Sequence, residues 1–160
     1  MKHLFRTFVV AINGSEGSIA AFKYALGAAR LYGTRIVAAY VIDTATISRL
    51  YLSRIFVSDE KEAFERSLEE SGRHYLKFCT DLAAAKKLSI ETRLLRGSVA
   101  GEIVKLAMEL DADCIVVGSP HSDLRRGDAI MEANREIAAS SRCPVLMVPP
   151  KSGEALYAEL

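Results

Sequence analysis

The chain lacks the features that would commit it to a polyanion, a metal or a bilayer. Its 21 basic and 20 acidic residues leave a formal net charge of only +1. A general nucleic-acid binder or membrane-surface binder needs a basic excess that is absent here. The 3 cysteines, Cys79, Cys114 and Cys143, are odd in number and show no metal-ligand spacing. They argue against a disulfide framework and suit a reducing, cytoplasmic compartment. No apolar run is long enough to span a bilayer. The opening MKHLFRTFVVAI has an apolar stretch too short for a secretory leader, and Asn13-Gly14-Ser15-Glu16 follows where a cleavage site would stand. There is no internal repeat, low-complexity segment or linker.

Catalytic signatures are missing as well. Ser119 and His121-Ser122-Asp123 invite a hydrolytic reading, but no G-x-S-x-G elbow is present, and a local H-x-D does not make a triad. His74 and His3 stand apart, so no metal set converges. The expectation is a protein that binds rather than catalyses, with no metal.

What is present is an alternation of apolar runs and amphipathic stretches. Half of the 160 residues are apolar, enough for one α/β domain with its own core. Leu4 to Ile12, Thr34 to Ile42, Ser89 to Arg96, Cys114 to Val117 and Val145 to Val148 read as strands. The continuous run Phe8-Val9-Val10-Ala11-Ile12 suits a central strand covered on both faces. Between them lie helical patterns. Ser15 or Ser18 caps the first, in which Ile19, Phe22, Leu26 and Ala29 share a face and which Gly33 closes. The long helix from Ser58 to about Lys87 carries a stripe of Phe64, Leu68, Tyr75, Cys79 and Leu82, weakened at Gly72. Ile103, Ala107 and Leu110 point inward from the next helix. Asp128 is the expected cap of the last one, with Ile130, Ala133 and Ile137 inward. Residues 43–57 have no clean period and read as a loop or short helix over the sheet's rim.

Strands alternating with helices predict a single doubly wound α/β domain over residues 1–150: five parallel strands with helices on both faces. Residues 151–160 read as a loosely held tail. The ends of strands one and four then share a crevice, where such sheets bind ligands. Pro144 and Pro149 flank the last strand, as suits an edge.

Five segments in order, V9-V-A-I-N-G-S, Y40-V-I-D, R96-G-S-V-A-G-E-I, A112-D-C-I-V-V-G-S and R142-C-P-V-L-M-V, resemble the universal stress protein family over about residues 5–149. The resemblance implies the strand order 3-2-1-4-5 and a nucleotide site at Asn13, Val41, Gly97, Gly118, Ser119, His121, Met131 and Glu132. Members that bind ATP carry G-x2-G-x9-G-[ST] after strand four. Here Gly118 matches, and the remaining positions are His121, Met131 and Glu132. Met131 puts a side chain where backbone N–H groups must approach phosphate. Glu132, read as near a helix start, places a carboxylate in a field that would otherwise attract phosphate. Asn13 stands where the family has an adenine-contacting acid, a mild change.

The expectation is therefore a regulatory binding protein of the stress response that has lost tight ATP binding, with no tightly bound cofactor and with ATP or AMP weakened. Two alternatives stay open: an adenine-nucleotide switch or slow ATP hydrolase, and a docking module for a transporter or sensor. Arg125 and Arg126 either meet a differently placed anion or form a solvated surface with Asp123 and Asp128. Other phosphate chemistries on related folds need Ser-Gly-Gly-x-Asp-Ser or His-x-Gly-His, and neither occurs. The resemblance also implies a homodimer formed through Val145-Leu146-Met147-Val148.

Overall fold

Strand formation follows the apolar runs. In the computed structural model, which describes residues 4–120 and 124–160 (the side chains of 124–128 excepted), they form β1 (Thr7–Ile12), β2 (Arg35–Asp43), β3 (Glu91–Gly97), β4 (Cys114–Gly118) and β5 (Val145–Val148). All pairings are parallel and the order is β3-β2-β1-β4-β5, as the sequence predicts. Val9 of β1 sits level with Val37 of β2 on one side and Ile115 of β4 on the other. β1 is thus central and buried on both faces, which is why its apolar run is continuous.

Among the described residues there are also six helices: α1 (Glu16–Tyr32), α2 (Thr44–Leu52), α3 (Ser58–Ala85), α4 (Val99–Glu109), α5 (Leu124–Ser140) and α6 (Pro150–Glu159). Alternate strand residues feed two cores. Phe8, Val10, Ile12, Ile36 and Tyr40 pack with Phe22 and Leu26 of α1 and with Leu76 and Cys79 of α3. Val9, Val37, Ala39, Ile115 and Val117 pack with Ile103, Leu106 and Ala107 of α4 and Ile137 of α5. Ser15 caps α1 as expected, its side chain accepting the Ser18 N–H at 3.1 Å.

Several boundaries differ from the sequence reading, each for a local reason. β1 starts at Thr7 rather than Leu4, because Phe5 takes a left-handed φ of 66° and turns the chain. Residues 44–52 take the short-helix form, one of the two expected of this stretch, anchored by the fully buried Ile47. In α3 the deeply buried positions are Gly72, Leu76, Cys79 and Ala83, while Phe64 is exposed against Phe56. Gly72 has a packing reason, since a Cβ there would meet the Tyr40 ring at 2.6 Å. α5 begins at Leu124, so Asp128 lies inside the helix rather than capping it.

The tail is the largest correction. Residues 150–159 form α6, which docks along α1. A Cβ on Gly153 would fall 1.9 Å from the Ala20 carbonyl oxygen, so the two helix backbones touch. The Tyr157 hydroxyl donates to the Leu82 carbonyl at 2.9 Å, and Lys23 pairs with Glu154 at 2.6 Å. Among the described residues no helix is long and apolar enough to cross a membrane.

Candidate functional site

Parallel strands whose connections diverge leave an opening at their carboxyl ends. Here β1 separates the α2 side from the α5 side, and a cavity of about 370 Å³ opens between them. That volume lies in the usual range for small-molecule sites. Its floor is Ala11, Asn13, Val41, Val117 and Gly118; its walls come from α2, the start of α4 and α5.

Of the residues singled out in the sequence, Asn13, Val41, Gly118 and Glu132 line this crevice. The Asn13 Oδ1 accepts the Ser15 N–H at 2.9 Å, an Asx-type closure that fixes the amide at the mouth. Gly118 offers its carbonyl to the Asn134 Nδ2 at 3.0 Å, tying α5 to the end of β4. Gly118 also has a packing role. A Cβ there would come within 2.2 Å of the Gly17 carbonyl carbon, so the start of α1 rests directly on the end of β4.

Gly97, Ser119 and Met131 are not among the lining residues. Gly97 ends β3 beside the crevice, with φ 142° and the Glu102 side chain folded over it; its neighbours Ser98 and Val99 are the lining residues. Ser119 continues the sheet, its N–H donating to the Val148 carbonyl at 2.9 Å. Met131 is exposed and is not among the residues lining the crevice. His121 lies outside the described residues, as do the side chains of Arg125 and Arg126. The argument from Glu132 also changes. Glu132 is two turns into α5, beyond the reach of the helix-end field, which falls off within the first turn. Its carboxylate counts as a wall charge instead, partly offset by Arg135 at 3.2 Å.

The sequence reading missed the α2 wall. Asp43, Thr46 and Arg49 recur every third residue, and all three line the crevice. Asp43 caps α2 by accepting the Thr46 N–H at 3.0 Å. Arg49 Nη2 donates to the Thr46 hydroxyl at 3.1 Å. That three-residue polar spacing was the available signal. Among the described lining residues the charges are three carboxylates, Asp43, Glu132 and Glu136, and one guanidinium, Arg49. Those carboxylates do not converge, for no metal-holding group of three occurs among the described residues. Tyr40, also on the rim, has its phenol held above the usual range by burial and then by Tyr75. It is a neutral hydrogen-bonding group at physiological pH.

A larger cavity, about 460 Å³, opens at the opposite ends of the strands, bounded by Asp113, Ser141, Cys143 and Pro144. Two of its polar groups, Asp113 and Ser141, are already engaged. Asp113 accepts the N–H groups of Arg6 and Thr7, each at 2.8 Å, and the Ser141 hydroxyl donates to the Cys143 carbonyl at 2.8 Å. It holds the start of β1 in place, and the candidate site is the crevice at the carboxyl ends.

A doubly wound parallel sheet with a ligand-sized opening at its switch point defines a nucleotide-binding type of fold. The chain belongs to the universal stress protein family, whose model matches residues 4–149 and so leaves α6 outside the match. Membership places it among stress-response proteins. It is 27% identical over 147 residues to universal stress protein MJ0531 of Methanocaldococcus jannaschii, covering 92% of this chain and 84% of that protein. The fold is similar to that of the protein MJ0577, at a TM-score of 0.75 and 19% identity over 92% of this chain and 97% of that one. It is also similar to a universal stress protein family member from Arabidopsis thaliana with AMP bound, at a TM-score of 0.61 and 18% identity, covering 90% of this chain and 91% of that one.

Proposed function

We propose that this chain is a non-catalytic regulatory protein of the stress response that reads an adenine nucleotide of low charge, AMP rather than ATP, in the crevice. The observation that carries this reading is the charge of the described walls: three carboxylates against one guanidinium. Each phosphate added to a ligand adds negative charge to a site already negative among those residues, and the cost rises as water is excluded. The crevice size and the AMP-bound state of the Arabidopsis protein support a mononucleotide. Glu132 contributes here as a wall carboxylate rather than through the helix-end field.

Calorimetry with adenosine, AMP and ATP tests the reading. AMP is expected to bind more tightly than ATP, and Glu132→Ser to narrow the gap. ATP binding more tightly than AMP would overturn it. Regulation of this kind also suits an oligomer. β5 is a sheet edge whose Leu146 and Met147 are 37% and 42% exposed, and an apolar edge strand calls for cover. A homodimer paired through Val145–Val148 is expected by light scattering, and Met147→Lys is expected to shift it to monomer.

A further inference from the structure

The end of the molecule opposite the crevice carries a group of exposed apolar side chains. Phe5 takes a left-handed φ of 66° before β1. Its ring packs on Tyr32 at the end of α1, 5.4 Å between centroids, and edge-on against Phe8 of the core at 5.6 Å. That contact joins the chain before β1 to the turn after α1. Around it Leu4, Leu31 and Tyr32 are 75%, 67% and 65% exposed, so most of each side chain stands in solvent. A single exposed leucine is ordinary, but several large apolar neighbours in one place mark a docking surface. The charges beside this patch are mostly of one sign. Arg30 Nη2 donates to the Lys86 carbonyl, which brings the end of α3 to the end of α1. Arg30, Lys86 and Lys87 make no ion pair among the described residues. The carboxylates at this end are engaged or stand elsewhere. Arg35 holds Glu91 at 2.6 Å, Arg6 lies 3.6 and 3.9 Å from Asp111 and Asp113, and Glu109 ends α4 on the other face of the sheet. The strands are parallel, so β4 delivers the chain to the far end at Gly118, and the crevice charges take no part in this balance.

We propose that this end of the molecule is a peripheral docking face for an anionic lipid surface. Leu4, Leu31 and Tyr32 enter the headgroup layer, Arg30 and Lys87 meet lipid phosphates, and Lys86 adds to the field. Binding of this kind grows with the apolar area inserted and with attraction to anionic lipid. Tyrosine suits that boundary because its ring is apolar and its hydroxyl stays wet. The net charge of +1 excludes a general surface binder, but it does not prevent a local excess of cations around an apolar tip. The same arrangement disfavours a second copy of this chain as the occupant, since two such faces would bring like charges together. The crevice opens at the other ends of the strands and stays accessible, so the inference does not depend on the mononucleotide reading.

Co-sedimentation of the full chain with vesicles tests it, using phosphatidylcholine alone and phosphatidylcholine with about one-third phosphatidylglycerol. Binding to the anionic vesicles is expected, falling as salt is raised, and about tenfold or more weaker on the neutral ones. Lys87→Gly removes one charge where a φ of 57° suits glycine, and is expected to weaken binding about fivefold. Leu4→Ser/Leu31→Ser is expected to weaken it about tenfold or more. Both leucines lie outside the core, so an unfolding midpoint close to that of the unchanged protein is expected and shows that the fold is intact. Lys151→Ala removes a charge at the start of α6, beyond the carboxyl end of β5, and is expected to leave binding unchanged. Absence of binding to the anionic vesicles would overturn the proposal. Equal binding to the neutral vesicles would do the same, as would a loss with Lys151→Ala that matches the loss with Lys87→Gly. If the unchanged protein ignores vesicles, and Leu4→Ser/Leu31→Ser dissolves an oligomer seen by light scattering, the face belongs to a second copy and the proposal fails.

Discussion

The two faces of the sheet are built from different materials. Among the described residues, the face covered by α1, α3 and α6 buries 17, among them Phe8, Phe22 and Tyr40. Among the described residues, the face covered by α4 and α5 buries 10, all aliphatic, with no aromatic among them or among their described neighbours. Large rings fill space; alanine, valine and isoleucine leave it. The crevice draws mostly on the second face: Ala100, Ile103, Val117 and Ile137 belong both to that core and to the cavity wall, whereas Ile12 and Tyr40 come from the first. The first face holds the larger described core and its buried aromatic rings, and the second holds most of the crevice wall.

The sharpest way to break this comparison is to truncate both faces in parallel. Phe22→Ala is expected to cost about 3–5 kcal/mol in urea unfolding and to leave ligand affinity unmoved where the protein is folded. Ile137→Val is expected to cost only about 0.5–1.5 kcal/mol yet to change ligand affinity. A reversal of the two effects would show that the faces are not divided in this way. A smaller test concerns the bracing helix: Gly153→Ala drives a methyl into the backbone of α1 and is expected to cost about 1–3 kcal/mol. No measurable change would mean that α6 contributes little to the thick face.

A further effect is in pH. Burial pushes the thiols of Cys79 and Cys114, both on the thick face, from 9.0 up to about 12 and about 11. A raised pKa means that the folded state holds its proton longer than the unfolded chain does. The associated stability is therefore full below pH 9 and lost as pH rises through the folded value. Above pH 9.0 each such thiol is expected to cost about 1.4 kcal/mol per pH unit until its folded pKa is reached. Denaturation at pH 8 and 10 checks the direction, and Cys79→Ala is expected to flatten the slope.

Much of the fold was legible because buried parallel strands write themselves as continuous apolar runs, and Phe8 to Ile12 and Cys114 to Val117 did so. The parts that were not legible depend on partners distant in sequence. α6 is ten residues long, too short to hold by its own propensity, and forms because Gly153 and Tyr157 meet α1 and α3. The start of α5 reads Leu-Arg-Arg-Gly-Asp, polar and interrupted by Gly127, which resembles loop chemistry. Glu132 was found by register with a motif, but its depth in α5 required the true start of the helix. Arg49 was missed because residues 43–57 carry no apolar period; what marks their inner side is a polar one.

The contact between Gly17 and Gly118 separates two questions that a motif runs together. Main chain rests on main chain at that point, so the absence of a side chain is a condition of assembling the domain, whatever occupies the opening above. A glycine in that position therefore reports on architecture. It would persist in a descendant that had given up its ligand altogether, whereas the residues on the two walls are free to be rewritten with each change of cargo.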